Sequence, residues 1–249
     1  MIHGNMNCLH SPATPCNITQ YVTPSLLANA ERSRFIVLHY IGAPCRRQAA
    51  AVNFEPAAFV EALDAERLTR EIVNSCVAPR FCVNFGEMTQ ASCTLKHMLA
   101  WQLVARLSNP YAIVLEDDMI PSRGFRRKLR STLRQLPSGW EFFNFGCGTS
   151  RRLAQGPVFC SRGYALTHTG AIKMIAAVPR VSDVADGTIL RATARLRTYH
   201  MSLPLVHGST LRDGPAPRGA DLCNRSSLSA KAAKQQRYST LQKPPWIPR

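Results

Sequence analysis

Three consecutive acids, Glu116, Asp117 and Asp118, follow directly on the apolar run YAIVL at 111–115. Two carboxylates about 5 Å apart repel by roughly 3 kcal/mol at an effective dielectric of ~20. Three in a row stay ionised only where water, arginine or a metal ion neutralises them. Oxygen-only ligands suit a hard cation, Mg²⁺ or Mn²⁺, and such an ion is usually shared with phosphate oxygens. The pattern points to a nucleotide or diphosphate ligand. A solvated acidic turn is the plainer alternative. A Walker B strand also ends in acids, but the GxxxxGK[ST] loop it requires does not occur in the chain. Nucleases and phospho-acceptor domains carry acids at strand ends too.

For such acids to converge on a ligand they must sit at the carboxyl end of a central strand, where open α/β sheets bind. The surrounding pattern supplies that setting. RFIVLHY (34–40) reads as a buried strand, followed by the turn IGAPCRRQ with Arg46 and Arg47. Residues 55–73 contain good helix formers but also divide readily into a strand and a short helix. Ser92–Leu107 carries an apolar stripe with a polar side and ends before Asn109-Pro110. YAIVL is the next strand and DDMIPSRG the loop after it. FRRKLRSTLRQL (125–136) is a helix with Phe125, Leu129, Leu133 and Leu136 inward and a basic face outward. WEFFNFG (140–146) reads as a strand, VFCSRGYALT (158–167) as one or two, HTGAIKMIAAV (168–178) as a helix and RTYHMSLPLVH (197–207) as a last strand. This alternation predicts an α/β fold with a mostly parallel central sheet flanked by helices. It spans 33–212, between a loose leader (1–32) and a basic, disordered tail (213–249).

Length and composition allow a sizeable core: 249 residues, 45% hydrophobic and 18% charged. No apolar run reaches the ~20 residues of a membrane helix. The first residues lack the basic start and apolar stretch of a signal peptide, which makes the cytoplasm the default and a lumen the expectation if the N-terminus is incomplete. The net charge of +16 is lopsided, zero over 1–32, −1 over 33–120 and +17 over 121–249. A field so concentrated fits an anionic partner for the C-terminal half. The nine cysteines form no CxxC pair, which argues against a zinc ribbon and favours buried thiols over disulfides. Two sequons, at Asn17 and Asn224, matter only in a secretory lumen.

The order SCTLKHMLAW, YAIVLEDDMIPS, helix, GWEFFNFG, GYALTHTGAIKMI resembles glycosyltransferase family 25, which includes lipooligosaccharide and collagen galactosyltransferases. Cys93, Leu95, His97, Trp101, Glu116, Asp117, Asp118, Trp140, Gly146, Tyr164, Gly170 and Ala171 fall on positions of that family's pattern. Two positions depart from it: Gln90 stands where the family has Glu, and Lys96 where it has Ser.

The resemblance implies a GT-A-type nucleotide-sugar-binding fold and an inverting, Mn²⁺- or Mg²⁺-dependent transfer. A hexose, galactose foremost, would pass from a UDP-sugar to a glycan or protein hydroxyl. It implies Asp118 and Glu116 as metal ligands, with His207 as a late third. Glu116, Asp117, Arg46, Arg47 and His97 become donor-binding residues. An inverting enzyme also needs a base for the acceptor hydroxyl. Asp183 and then Asp186 are the candidates, with a helix cap as the alternative role of either. Trp101 and Trp140 read as core. The competing reading, drawn from Gln90 and the basic half, is an inactive transferase-like fold that binds nucleic acid or another anionic surface.

Overall fold

The computed structural model describes residues 16–79, 81, 88–147, 152–201 and 206–208, the last three as backbone only. Its centre is a seven-stranded sheet in the order β2-β1-β3-β7-β5-β8-β6. The strands are β1 (Phe35–Leu38), β2 (Ala58–Val60), β3 (Tyr111–Glu116), β5 (Phe142–Asn144), β6 (Ala154–Gln155), β7 (Gly163–Thr167) and β8 (Thr198–His200). β1 runs parallel to β2 and β3, and β5 parallel to β8. β7 runs against both β3 and β5, and β6 runs against β8. The sheet is thus mixed but mostly parallel, as the alternation of elements predicts.

Seven α-helices are described: α1 (Pro24–Ser33), α2 (Pro44–Phe54), α3 (Arg70–Cys76), α4 (Met88–Val104), α5 (Phe125–Gln135), α6 (His168–Ala177) and α7 (Ala185–Thr193). Side chains of a strand alternate between its two faces, and both faces of this sheet are covered. Ala112 and Val114 of β3 join Leu95, Leu99, Met174 and Ile189 from α4, α6 and α7 in one core. Ile113 and Leu115 join Phe54, Phe125 and Leu129 from α2 and α5 in the other. β3 is therefore apolar from Ala112 to Leu115, because that stretch has no solvent face.

Several elements differ from the sequence expectation. The CRRQ segment is the first turn of α2, since Pro44 at its start already has helical φ and its missing N–H is not needed there. Residues 55–73 divide into β2, a 3₁₀ turn at Ala65–Arg67 and α3, whose Thr69 accepts a hydrogen bond from Ile72 N. Within DDMIPSRG lies β4 (Met119–Pro121), paired antiparallel with β9 (Val206–Gly208) in a separate two-stranded sheet. The expected last strand is thereby divided between two sheets. α4 was expected to show a polar side to solvent. Instead Ser92, Thr94, Lys96 and His97 are all buried, because the helix lies between the sheet and α6 and α7.

Leader and cysteines also differ. α1 packs on β1 and β2, with Pro24 in its first turn and Thr23 accepting from Leu26 N. Cys16 is bonded to Cys76 and Cys147 to Cys160, Cys45 is disulfide-bonded as well, and Cys93 is free. Spacing in the chain could not show this, since each pair is made by the fold. The tail at 213–249 lies outside the described residues. Among those described, no helix is long and apolar enough to cross a membrane.

The Cys16–Cys76 bridge spans 60 residues of sequence, enough to restrict the unfolded chain strongly. Replacing both cysteines with alanine is expected to cost about 2–4 kcal/mol of stability. A thermal melt of the double variant beside the parent, without reductant, checks it; an unchanged midpoint contradicts the pairing.

Candidate active site

The carboxyl ends of β1 and β3 open into a cleft of about 380 Å³. Its lining includes His39, Tyr40, Arg46, Glu66, Cys93, Lys96, Glu116, Asp117 and Asp118. Parallel pairing sets Leu38 opposite Glu116, and Asp117 N continues the ladder to Leu38 O at 3.1 Å. Alternation along the strand then sends successive acids in different directions. The three carboxylates end in three different environments.

Glu116 faces α4. Its Oε1 accepts the Ser161 hydroxyl at 2.5 Å and lies 3.5 Å from His97 Nε2. Burial pushes its carboxyl up, but His97, Ser161 and the charge of Arg162 outweigh that, so it is held below the usual carboxylate range. Asp117 faces α2 and is only 8% exposed. Its Oδ2 meets His39 Nδ1 at 2.8 Å and accepts Tyr40 N at 3.0 Å, and its Oδ1 lies 3.5 Å from Arg46 Nη1. Burial raises it too, and these partners again bring it below the ordinary value.

Asp118 is left without such a set. Its Oδ1 is buried with no hydrogen-bond partner among the described residues. Burial, then the charges of Glu116 and Asp117, push its pKa up to about 6 against the pull of Arg46 and Arg162. An orphaned carboxylate oxygen beside two ionised neighbours fits a bound divalent cation. Asp118 is the residue whose free ligand capacity suits one.

The remaining expected site residues divide between cleft and periphery. Arg46 lines the cleft, whereas Arg47 lies over the Phe59 ring and pairs with Glu61 at 2.5 Å. His97 is fully buried and stands behind Glu116, outside the residues that line the cleft. Asp186 reaches the site through Ser161, whose N–H it accepts at 2.7 Å. Asp183 turns back to the start of α7, accepting Val184 N at 2.8 Å and pairing with Arg191. It does not cap the helix, whose first residue is preceded by Val184 without a side-chain cap. His207 lies opposite Ile120 in the β4–β9 pair, and its side chain is outside the described residues. Trp140 packs on Tyr111 against the second core.

Sequence reasoning missed four contributors. His39 ends an apolar strand, the one signal that could have marked it. Lys96, where the resemblance expects Ser, bonds Asp64 and the His39 carbonyl under the cleft. Tyr164 is fully buried beside His97. Ser161 has no distinctive sequence context; Asn144 places it by holding the Cys160 carbonyl at 3.0 Å while accepting Gly146 N and Cys147 N. A Cβ on Gly146 would stand 2.7 Å from Gly163 N, and one on Gly170 would stand 2.4 Å from Glu141 O. Both positions need glycine for close approach.

Residues 43–150 match the sequence model of glycosyltransferase family 25, described as an LPS biosynthesis protein. The matched stretch runs from the start of α2 past β5 and carries Arg46, Lys96, His97 and all three acids. That stretch is similar to family 25 over less than half of the chain, and the role such a match supports is that of a glycosyltransferase. No curated protein matches the chain. Among solved structures, the crystal structure of A197 from STIV aligns at 10% identity with a TM-score of 0.38, covering 75% of this chain and 98% of its own.

The Asp118 environment has a measurable consequence. Its pKa is about 6 in the folded state and 3.8 as the ordinary value. Between these limits the folded protein holds a proton that the unfolded chain has released, so stability falls as pH rises through the window. Asp118→Asn is expected to stabilise the metal-free protein by about 1–2 kcal/mol above pH ~6.5 and hardly at all below pH ~4. Melting midpoints of both proteins across pH check the sign.

Proposed function

We propose that the chain is a metal-dependent, inverting glycosyltransferase of GT-A type that moves a hexose, galactose foremost, from a UDP-sugar to a hydroxyl acceptor on a glycan or protein. The observation that carries this reading is Asp118: an unpartnered, half-buried carboxylate at the carboxyl end of a central strand, within a family 25 stretch. Asp118 would hold Mn²⁺ or Mg²⁺, which supplies neutralising charge to the nucleoside diphosphate leaving group.

The protein's own groups do the rest. Arg46 gives the cleft a cationic side chain toward which a diphosphate is drawn, while Lys96, paired with Asp64, lies beneath the cleft. Asp117, anchored by His39 and the Tyr40 N–H, fixes the loop after β1 against the end of β3 and holds Arg46 beside the cleft. Asp186 is the carboxylate assigned to take the acceptor hydroxyl's proton, because Arg191 already engages Asp183. The tie from Asp186 to Ser161 N supports that assignment by joining it to the Glu116 side of the site.

Two measurements test the reading. A thermal-shift screen of UDP-, GDP- and CMP-sugars with and without Mn²⁺ should show a rise for UDP-sugars that depends on the ion. No response to any UDP-sugar, with steep salt-dependent binding of nucleic acid instead, would support the anionic-surface binder. In turnover, Asp118→Asn is expected to remove Mn²⁺-dependent UDP release. Asp186→Asn should lower kcat by about 10²–10⁴-fold, whereas Asp183→Asn should act on the stability of α7. Equal losses from the two asparagine variants would remove Asp186 from the role of base.

A further inference from the structure

The buried face of α4 carries a chain of polar groups that the proposed chemistry does not use directly. Trp101 Nε1 donates to Tyr164 Oη at 2.9 Å, and Tyr164 Oη lies 3.0 Å from His97 Nδ1. His97 Nε2 in turn faces Glu116 Oε1 at 3.5 Å. Trp101, Tyr164 and His97 are all fully buried. Each hydrogen on this chain must find an acceptor inside the protein.

That requirement fixes the direction. The indole N–H is a donor only, so the Tyr164 oxygen accepts from it. The phenol hydrogen must then go elsewhere, and among the described residues its hydrogen-bonding neighbour with a lone pair is His97 Nδ1. Nδ1 accepts, so the imidazole proton resides on Nε2, which points at Glu116. We propose that His97 is a positioning residue. Through Tyr164 and Trp101 its ring is set as the Nε2–H tautomer, and that N–H, directed at Glu116 Oε1 across 3.5 Å without a full hydrogen bond, acts with the Ser161 hydroxyl to orient the Glu116 carboxylate beside Asp118.

The same atoms offer a rival arrangement. Cys93, His97 and Glu116 bring one ligand atom each to within 4.8 Å of one another, and the unpartnered His97 Nε2 would suit a thiolate–imidazole metal centre. A metal-bound histidine presents a bare nitrogen to the ion and donates from the other. Here that would turn Nδ1 into a donor toward Tyr164 and strand the phenol hydrogen in a fully buried position. The hydrogen-bond inventory favours the positioning role.

The inference rests on the transferase reading only in its kinetic arm. Long-range ¹H–¹⁵N spectra of the ¹⁵N-labelled full chain, with the His97 signals assigned by their loss in His97→Gln, should show a protonated Nε2 and a bare Nδ1. Tyr164→Phe, which keeps the ring and removes only the hydroxyl, should abolish that single-tautomer pattern. With UDP-galactose and Mn²⁺, His97→Leu should lower kcat about ten- to hundredfold, the scale of a polar contact to a charged group. Donor KM should change by less than about threefold. His97→Gln, which can still offer an N–H to Glu116, should restore most of the rate. An Nδ1–H tautomer in the parent protein overturns the proposal. So does a Co²⁺–thiolate charge-transfer band that is lost in Cys93→Ser. A parent protein that turns over no UDP-sugar defeats the transferase reading, while the spectra and the Co²⁺ titration still decide the role of His97.

Discussion

Three like charges in consecutive positions set the constraint from which the site is built. No single environment can stabilise them all, because whatever neutralises one lies within reach of the others. The fold separates them by strand geometry. β3 ends at Glu116, its side chain turned toward α4; Asp117 turns toward α2; Asp118 remains beside the cleft as the chain bends into β4. Two of the acids are settled by protein groups at the cost of burying His39, His97 and Ser161. The third inherits their repulsion. A carboxylate with a raised pKa and an orphaned oxygen is poorly placed for a structural role alone and well placed for an ion.

The neighbouring architecture follows from the same need. A polar chain from Trp101 to Glu116 can exist only if α4 is enclosed, and α6 and α7 enclose it. Ser161 can reach Glu116 only if β7 enters the sheet antiparallel beside β3, which brings the segment before Gly163 to the carboxyl end of that strand. Gly146 permits that approach, since a Cβ there would collide with Gly163 N. The disulfide between Cys147 and Cys160 ties together the two segments that Asn144 already organises. Core packing and site geometry are one construction.

Much of the frame was legible in the sequence for simple reasons. β1, β3, α5 and α6 have clear apolar runs or a clear helical stripe, and a strand covered on both sides must be apolar throughout. The acids at 116–118 were visible because local chemistry alone makes them costly. Elements whose boundaries depend on distant partners were not legible. β4 exists because β9 pairs with it, and residues 197–207 divide because their two ends join different sheets. The polar residues of α4 looked solvent-facing because periodicity cannot show that a helix is enclosed.

The sequence by itself determined the α/β alternation, the strand that delivers three acids to its end, and the motif order shared with glycosyltransferase family 25. Those features are encoded in short spans where neighbouring residues are enough to set the outcome. Only the tertiary structure decided that Asp118 is the unsatisfied carboxylate, that Arg46 rather than Arg47 faces the cleft, that Asp186 rather than Asp183 bonds Ser161, and that His97 stands behind Glu116. Each of those outcomes depends on a partner far along the chain, from Arg162 and Ser161 to Tyr164, and no local pattern records which distant group will complete a hydrogen bond.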